Sequence, residues 1–318
     1  MTCSSIAAID GGGTKTLLVV LHRDGTLGLV IRAPGSNPFD QVDWQSILIS
    51  LMSRLPSTTK ALSLGLAGYG EMRPSGRKQK DVVAANFPHI FNITNDVDIA
   101  CSGAFAGHGG VLLLAGTGSV AWVVNGRGEQ DRVGGWGSLF GDEGSAFWIG
   151  RQALSLLAML LDGRNQKDWA FLEPFADVLG LSSNAHPYDA GLMEWYSRLG
   201  NPRASVASLA KTVSDMAEQG IIPAQRIMVE AAALLGAHIT AARRKFPDTS
   251  LPWSYAGGAF QSRLLRETLA AHHGAPLVPR LPPVGGALLN AAQMAGWNPD
   301  ERWICKTAET LRLAGINS

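Results

Sequence analysis

The sequence predicts an α/β protein of two domains with a cleft between them. The chain of 318 residues is long for a single hydrophobic core, which favours two domains of ordinary size. Apolar runs of strand length alternate with segments of helical spacing. A strand–glycine loop–strand pattern occurs twice, at residues 6–21 and again at residues 111–124. Two copies of one α/β pattern indicate two similar domains whose glycine loops face each other across a cleft.

The first half of the chain reads as three strands followed by alternating helices and strands. The apolar runs and turn signals predict strands at 6–9, 17–21, 27–33, 61–66 and 89–94, and helices at 42–55, 74–86 and 97–106. A turn at Arg23-Asp24-Gly25 joins the second and third strands. The first domain is therefore expected at residues 1–113, and residues 300–318 are expected to pack onto it.

The pattern begins again near residue 111 and predicts a second domain at residues 114–299 with a helical insertion. Expected strands are 111–114, 120–124, a run that reaches Val133, 253–256 and 276–278, and expected helices are 145–161, 205–219, 224–246, one from about Phe260, and 286–295. Residues 162–201 are weakly patterned.

Composition excludes several classes of protein. A hydrophobic content of 46% with 17% charged residues is typical of a compact protein, and no apolar run reaches the ~20 residues of a membrane span. A formal net charge of +1 gives no field that would collect nucleic acid, and Arg243-Arg244-Lys245 suits the end of a helix. The three cysteines lack the spacing of a metal or redox site. We expect a cytoplasmic protein that binds neither nucleic acid nor membranes.

The first glycine loop, from Asp10 to Thr16, fits a phosphate-binding turn. Glycines allow a sharp turn and let backbone N–H groups approach an anion. The loop differs from the P-loop, which has glycine where this chain has Thr14, and from the dinucleotide fingerprint, which continues into a helix. The residues assigned to the phosphates of ATP here are Gly11, Gly12, Gly13, Thr14, Lys15 and Thr16.

The second loop occupies the same place in the repeat. A single glycine turn is often purely structural, but its recurrence with hydroxyl side chains favours two turns that hold one nucleotide. The residues assigned to ATP here are Gly116, Thr117, Gly118 and Ser119, and hydroxyl donors are expected from Thr14, Thr16, Thr117 and Ser119. Gly257-Gly258 is either a close strand–helix packing point or the place where bare backbone lies against the ribose and α-phosphate.

Two carboxylates follow predicted strands of the first domain. Asp10 adjoins the phosphate loop, where it would repel phosphates unless a cation intervened, so it predicts a Mg²⁺ ion held partly through water. Asp96 has two interpretations, as a helix N-cap or as a general base for an attacking hydroxyl. Asp98 is the weaker candidate because it lies inside the predicted helix.

The loop from Gly134 to Gly144 has the groups that bind a sugar. Gly135 offers backbone amides, Trp136 an aromatic face and Asp142 a carboxylate acceptor, and Asn37 in the matching loop offers an amide. The alternative is a flexible connection with a capping carboxylate before the next helix.

These motifs together resemble the N-acetylglucosamine kinase group within the BadF/BadG/BcrA/BcrD branch of the sugar kinase, Hsp70 and actin superfamily. The matches are Ile9 to Thr16, Ala115 to Ser119, Gly134 to Trp148, and Tyr255 to Ala259. The resemblance implies two ribonuclease H-like (actin-like ATPase) domains with an interdomain cleft that closes and expels water. The three cysteines argue against two related groups. They lack the spacing that the dehydratase activators need for an iron–sulfur cluster, and the zinc-binding Cys-rich motif of the glucokinase and repressor group is absent from the sequence.

The resemblance also implies a reaction and the residues that perform it. ATP and Mg²⁺ would phosphorylate the 6-hydroxyl of an amino sugar, with Asp96 as the base and Asp10 orienting the metal. Sugar contacts would come from Asn37, Asp96, Thr117, Gly135, Trp136 and Asp142. N-acetylglucosamine and glucosamine stay open as substrates, and a homodimer through the larger domain would fit the family. The competing hypothesis is a nucleotide-dependent sensor or ATPase of the same fold that transfers no phosphoryl group.

Overall fold

The computed structural model describes residues 4–70, 72–181, 191–247 and 250–316. The chain divides into two compact units. The first unit comprises residues 1–112, 124–129 and 277–318, and the second unit comprises residues 113–123 and 130–276. This is the mixed α/β architecture with two sheets that the repeat predicts.

A five-stranded sheet with the order β3-β2-β1-β4-β5 forms the centre of the first unit. Strand β1 pairs antiparallel with β2 and parallel with β4, and β4 pairs parallel with β5. The elements are β1 (Ser5–Gly11), β2 (Lys15–His22), β3 (Leu27–Pro34), α1 (Trp44–Met52), β4 (Thr59–Leu66), α2 (Arg73–Asn86), β5 (Ile90–Thr94) and α3 (Asp96–Phe105).

Within the residues that the structure describes, the second unit is built mostly from six helices and a four-stranded sheet with the order β8-β7-β6-β9. The elements are β6 (Gly110–Ala115), β7 (Ser119–Val124), β8 (Gln130–Gly134), α4 (Ala146–Leu161), α5 (Leu172–Val178), α6 (Leu192–Ser197), α7 (Pro202–Glu218), α8 (Ile222–Lys245), β9 (Trp253–Ala256) and α9 (Arg263–His273), with 3₁₀ turns at Trp169–Phe171 and Gly258–Gln261. In chain order, both sheets place the third, second, first and fourth strands side by side, which confirms the predicted repeat.

The last two helices, α10 (Pro283–Met294) and α11 (Glu301–Leu313), belong to the first unit. The sheet of this unit is covered on one face by α1 and α2 and on the other by α3 and α10, so β1 and β4 are apolar along their length. Leu288 of α10 and Leu311 of α11 are buried in the same core cluster as Ile6 of β1.

The structure differs from the sequence analysis at residues 276–299. The run at 276–278 is not a strand, and residues 277–299 fall in the first unit, although they were expected in the second domain. The reason is a close helix crossing: a Cβ on Gly286 of α10 would lie 2.0 Å from the carbonyl oxygen of Ile99 in α3. Only glycine allows that approach, and it fixes α10 against α3.

In the described part of the chain, no single helix has the length and apolar character of a membrane span. Helices α7 and α8 have this length and apolar character only when they are taken together, and the pair is bent by 119°.

Candidate active site

The first glycine turn joins β1 to β2 and is packed tightly against the loop that follows β3. The amide of Gly12 donates to the carbonyl of Lys15 at 3.0 Å, and the amide of Ser36 donates to the carbonyl of Gly12 at 3.0 Å. A Cβ on Gly11 would lie 2.4 Å from the Ser36 hydroxyl oxygen, so packing alone requires glycine there. Thr14 and Lys15 are exposed at the tip, where an anion can reach them.

The hydroxyl of Thr16 is used inside the protein. Thr16 is 1% exposed, and its hydroxyl donates to the Ser36 hydroxyl at 3.0 Å. The sequence analysis expected this hydroxyl to face a phosphate. The alternation of side chains along a strand explains why this hydroxyl is buried. Thr16 lies in β2 with its side chain on the buried face, whereas Thr14 lies in the turn and Lys15 is the exposed first residue of β2.

Asp10 and Asp96 come together at the carboxyl ends of three parallel strands. Asp10 of β1 is paired with Gly65 of β4, and Gly65 is paired with Thr94 of β5, two residues before Asp96. A Cβ on Gly65 would lie 2.3 Å from the Ile99 side chain, so glycine lets α3 approach the sheet at this row. Burial, and then the charge of Asp96, raise the pKa of Asp10 to about 6, against a smaller opposing effect of Lys15.

The N-terminus of α3 bears on whether Asp96 is a helix cap or a general base. The N-cap residue is Asn95, whose side-chain oxygen accepts from the Val97 amide at 3.0 Å and whose side-chain nitrogen donates to the Tyr69 carbonyl at 3.1 Å. Asp96 is the first residue of α3, and its carboxylate also accepts from the Val97 amide at 3.0 Å. The capping position predicted for Asp96 is therefore occupied by its neighbour.

The residues present fit a Mg²⁺ ion that takes most of its ligands from elsewhere. Among the residues that the structure describes, no group of three or more His, Cys, Asp or Glu side chains could hold a metal ion. Asp10 and Asp96 nevertheless raise the cost of each other's charge, which a cation between a carboxylate and phosphates would relieve. Mg²⁺ commonly binds through one or two carboxylates, water and substrate phosphates.

Asn37 lies in a compact turn after β3. Its side-chain nitrogen donates to a carboxylate oxygen of Asp40 at 2.6 Å, and its side-chain oxygen accepts from the Phe39 amide at 3.1 Å. Gly68, after β4, has φ +78°, and a Cβ there would lie 3.1 Å from the Asn37 side-chain oxygen. The loops after β3 and β4 thus meet at Asn37 and hold its amide in one orientation.

The second glycine turn, between β6 and β7, lies at the N-terminus of α4. The amide of Gly116 donates to the carbonyl of Gly118 at 2.9 Å, and the amide of Ala146 in α4 donates to the carbonyl of Gly116 at 2.9 Å. Ser145 caps α4 by accepting from the Trp148 amide at 3.1 Å, so Asp142 is not the capping residue. The positive end of the 16-residue helix therefore points at the turn, which favours an anion there.

The two hydroxyls of the second turn differ. Thr117 is exposed, whereas Ser119 is 3% exposed and its hydroxyl donates to the Glu143 carbonyl at 2.8 Å. The sequence analysis expected both hydroxyls to face phosphates. Ser119 begins β7 with its side chain inward, so its hydroxyl ties the turn to the loop before α4.

Asp142 is buried and has partners at both carboxylate oxygens. One oxygen accepts from the Ser119 amide at 3.2 Å, and the other accepts from the Arg203 guanidinium at 2.6 Å. The Asp142 side chain is 4% exposed, and its backbone has φ +59°. Sequence reasoning missed Arg203 because it lies 61 residues away, next to the weakly patterned segment.

Gly135 and Trp136 begin the loop that leads to Asp142. Gly135 has φ +74°, and its amide donates to the Ser119 carbonyl at 3.0 Å. Trp136 is 61% exposed, and the Arg132 guanidinium lies 5.2 Å from the centre of its ring. The loop thus presents an indole to its surroundings while its backbone is tied to β7.

The adjacent glycines 257 and 258 have different environments. A Cβ on Gly257 would lie 2.4 Å from the carbonyl oxygen of Ala115, and the residue has φ +106°, so the packing interpretation holds for Gly257. A Cβ on Gly258 would meet nothing within 4 Å. Gly258 instead lines a cavity of about 580 Å³ with Gly116, Thr117 and residues of α7.

Helix α7 forms one wall of this cavity and was not assigned a role from the sequence. Small residues at helical spacing, Ala204, Ala207 and Ala210, line it together with Lys211, which pairs with Asp215 at 2.6 Å. A cavity lined by small and polar side chains beside an anion-binding turn suits a nucleoside. In the sequence, these small side chains at helical spacing are the feature that could have indicated a cavity wall.

A family model matches residues 8–291 of the chain, and its description is the BadF/BadG/BcrA/BcrD ATPase family. The chain belongs to this family. An N-acetylmuramic acid/N-acetylglucosamine kinase of Clostridium acetobutylicum is 28% identical over 237 residues, which cover 71% of this chain and 75% of that protein. An N-acetyl-D-glucosamine kinase of Dictyostelium discoideum is 26% identical over 281 residues, 80% of this chain and 85% of the relative.

Solved structures agree with this family. A Chromobacterium violaceum protein described as a candidate N-acetylglucosamine kinase superposes with a TM-score of 0.70 at 25% identity, covering 91% of this chain and 99% of that one. A Streptomyces griseus ROK family glucokinase, 16% identical with a TM-score of 0.50, shares the fold over 92% of this chain and 98% of its own. The family is one of ATPases, and the chain shares its mixed α/β fold with these solved structures.

Proposed function

We propose that the protein transfers the γ-phosphoryl group of ATP to the 6-hydroxyl of N-acetylglucosamine or glucosamine. The observation that carries the proposal is the row formed by Asp10, Gly65 and Thr94, which brings Asp10 and Asp96 together at the carboxyl ends of parallel strands. Because Asn95 occupies the capping position of α3, we assign the neighbouring Asp96 carboxylate to the general base.

Each glycine turn would bind phosphate groups, and the cavity beside α7 would hold the nucleoside. Exposed Thr14, Lys15 and Thr117 and the amides of the turns would bind phosphates, helped by the N-terminus of α4. We assign Thr16 and Ser119 to supporting these turns, because their hydroxyls already have partners in the protein. The nucleoside would lie along Gly258 and the small residues of α7.

Magnesium would be held by Asp10, largely through water, together with the phosphates. When bound, it would neutralise phosphate charge during transfer. The same neutralisation would keep Asp10 ionised, although burial and Asp96 raise its pKa to about 6.

Asp96 would accept the proton of the sugar hydroxyl as that oxygen bonds to the γ-phosphorus. The bond between this phosphorus and the β–γ bridging oxygen breaks, ADP leaves with that oxygen, and the proton passes from Asp96 to solvent after the product departs. Asn37, Thr117, Gly135, Trp136 and Asp142 would hold the sugar in line. Asn37 fits this role because the turn around it fixes its amide.

The substituent at the second carbon of the sugar distinguishes the substrates. A coupled ADP-release assay should compare N-acetylglucosamine, glucosamine, glucose, N-acetylmannosamine and N-acetylmuramic acid, the last because a Clostridium acetobutylicum relative carries it in its name. We expect sugar-stimulated turnover with an amino sugar as the best substrate. ADP release that does not depend on any sugar would overturn the proposal and indicate the sensor or ATPase alternative.

Location and assembly complete the proposal. A kinase that consumes ATP is expected in the cytoplasm, where ATP is plentiful, and a homodimer through the second unit would fit the family. Light scattering coupled to size exclusion should then give twice the 33.7 kDa of one chain, and a monomer mass would remove the dimer.

A further inference from the structure

We propose that Arg203 is a positioning residue that orients Asp142 for binding the sugar. The inference rests on the proposed function, since it assigns Asp142 to the sugar site. It adds a residue from α7, a helix that no sugar or phosphate motif includes, and it explains how a buried carboxylate is oriented.

The geometry of the pair is that of a strong charge-assisted hydrogen bond. An Arg203 guanidinium nitrogen lies 2.6 Å from one oxygen of Asp142, while the other oxygen accepts from the Ser119 amide at 3.2 Å. The Arg203 side chain is 49% exposed and that of Asp142 is 4% exposed. The arginine therefore approaches from the solvent side and covers a carboxylate that is otherwise enclosed.

An enclosed carboxylate needs such a partner. Burial of an unpaired charge is costly, and removal of one member of a buried pair leaves the other uncompensated. A carboxylate has about four acceptor positions, so the two contacts to Arg203 and Ser119 leave one on each oxygen. We expect neighbouring sugar hydroxyls to donate to these positions, which the contacts to Arg203 and the Ser119 amide hold in one plane.

The backbone around Asp142 shows that the position is tightly determined. Asp142 has φ +59°, a conformation that is uncommon for residues other than glycine. A Cβ on Gly118 would lie 2.6 Å from one Asp142 carboxylate oxygen, so the second glycine turn is shaped around this side chain. The Asp142 carbonyl also accepts from the Ser145 amide at 3.1 Å, which ties it to the cap of α4.

Arg203 reaches this position because it lies in the first turn of α7. The adjacent residue Ala204 lines the cavity proposed for the nucleoside, and Asn201 caps the helix by accepting from the Ala204 amide at 3.1 Å. The cap fixes the start of α7, and this fixes the origin of the Arg203 side chain.

The test uses Arg203→Met, which keeps most of the length and removes the charge, and Arg203→Lys, which keeps the charge. We expect Arg203→Met to raise KM for the sugar by about tenfold to a hundredfold, with kcat and the nucleotide Kd without sugar changed less than about threefold. Arg203→Lys should recover part of the loss because it restores the cation. The matched control is Arg226→Met. Arg226 also pairs with a mostly buried carboxylate, that of Asp168 at 2.5 Å, but neither residue is assigned to the sugar site. The KM of this variant for the sugar should stay within about twofold of the wild-type value.

A double-mutant cycle with Asp142→Asn identifies the route of the effect. If Arg203 acts through Asp142, adding Arg203→Met to Asp142→Asn should change KM less than about twofold further. A normal sugar KM in Arg203→Met, or full additivity in the cycle, overturns the inference while wild-type turnover upholds the proposed function. Absence of sugar-dependent turnover in the wild type overturns the proposed function itself. Thermal unfolding of each variant shows whether a change in KM reflects loss of the fold.

Discussion

The two glycine turns lie at the same position of the same strand order but have different charges around them. The first turn is preceded by Asp10, whose pKa is raised to about 6, and followed by exposed Lys15. The second is preceded by apolar Ala115, and its nearest carboxylate, Asp142, is paired with Arg203. We infer that the repeat specifies the backbone of each turn, whereas the side chains around it determine which turn takes part in the proposed transfer.

The sheets differ in a second way that leads to the same conclusion. The first unit continues its sheet with β5, which delivers Asp96 beside Asp10, whereas the sheet of the second unit ends at β9. After β9 comes Gly258, which lines a cavity. We therefore propose that the first unit carries the reacting carboxylates and that the second holds the nucleoside.

The largest predicted effect is a fall in kcat when Asp96, the proposed general base, is replaced. Asp96→Asn keeps the size of the side chain and removes the proton acceptor, so kcat should fall by about 10² or more, with the Kd for nucleotide changed less than about threefold. Steady-state kinetics and nucleotide titration measure both. Asp98→Asn is the matched control, because it alters a second carboxylate in the first turn of α3, and its kcat should be near that of the wild type. Equal kcat in Asp96→Asn and wild type would remove the base assignment.

The next effect concerns the charge of the first turn. Because the pKa of Asp10 is raised from 3.8 to about 6, folding favours its protonated form, and the ionised form destabilises the protein by about 3 kcal/mol above that pKa. Asp10→Asn should therefore raise the free energy of unfolding at about pH 8 by up to that amount, and the gain should vanish as the pH falls toward about 4.

Urea unfolding without nucleotide or metal measures this pH dependence. Asp81→Asn changes an exposed aspartate of the same unit and should shift stability by less than about 0.5 kcal/mol at every pH. A constant difference between Asp10→Asn and wild type across the range would contradict the electrostatic difference between the two turns.

The neighbouring glycines after β9 give a smaller effect and separate structure from binding. Gly258→Val should fold normally, because its Cβ position is open, and raise KM for ATP by about tenfold by filling the cavity. Gly257→Ala should instead lower the free energy of unfolding by about 1–3 kcal/mol, because it has φ +106° and approaches the Ala115 carbonyl. Thermal unfolding and ATP kinetics on both variants measure these two effects. A destabilised Gly258→Val with a normal KM for ATP, together with a stable Gly257→Ala with a raised KM, would refute the assignment of the cavity to the nucleoside.

The smallest effect tests the hydroxyls of the second turn. Ser119→Ala should cost about 1 kcal/mol of stability by removing a buried hydrogen bond to Glu143, with little change in KM for ATP. Thr117→Ala should leave stability unchanged and raise KM for ATP by about threefold to tenfold, because Thr117 is exposed. Equal KM values for the two variants would show that exposure does not distinguish their roles.

Local signals in the sequence predicted most of the fold. The apolar runs around Gly11–Gly13 and Gly116–Gly118 set the strands and their repeat, because strand periodicity and glycine turns depend on nearby residues. Local signals placed Asp10 and Asp96 at the ends of two strands, whereas the pairing of β1, β4 and β5 that brings the two carboxylates together is seen only in the structure. The exchange of the cap from Asp96 to Asn95 lies within the one-residue uncertainty of helix boundaries.

Distant contacts could not be predicted. The pairing of Asp142 with Arg203 spans 61 residues and depends on where α7 begins. The place of α10 depends on the contact between Gly286 and α3, which no periodicity reveals. The apolar run at 276–278 does not form a strand, so its composition alone was misleading.

The central claim is that the first unit directs phosphoryl transfer to the 6-hydroxyl of an amino sugar. A two-dimensional ¹H–³¹P correlation spectrum of the purified product tests it directly. The account predicts coupling between the new phosphorus signal and the two protons on carbon 6 of N-acetylglucosamine or glucosamine. A phosphorus signal coupled to the anomeric proton, or inorganic phosphate as the sole product, would contradict it.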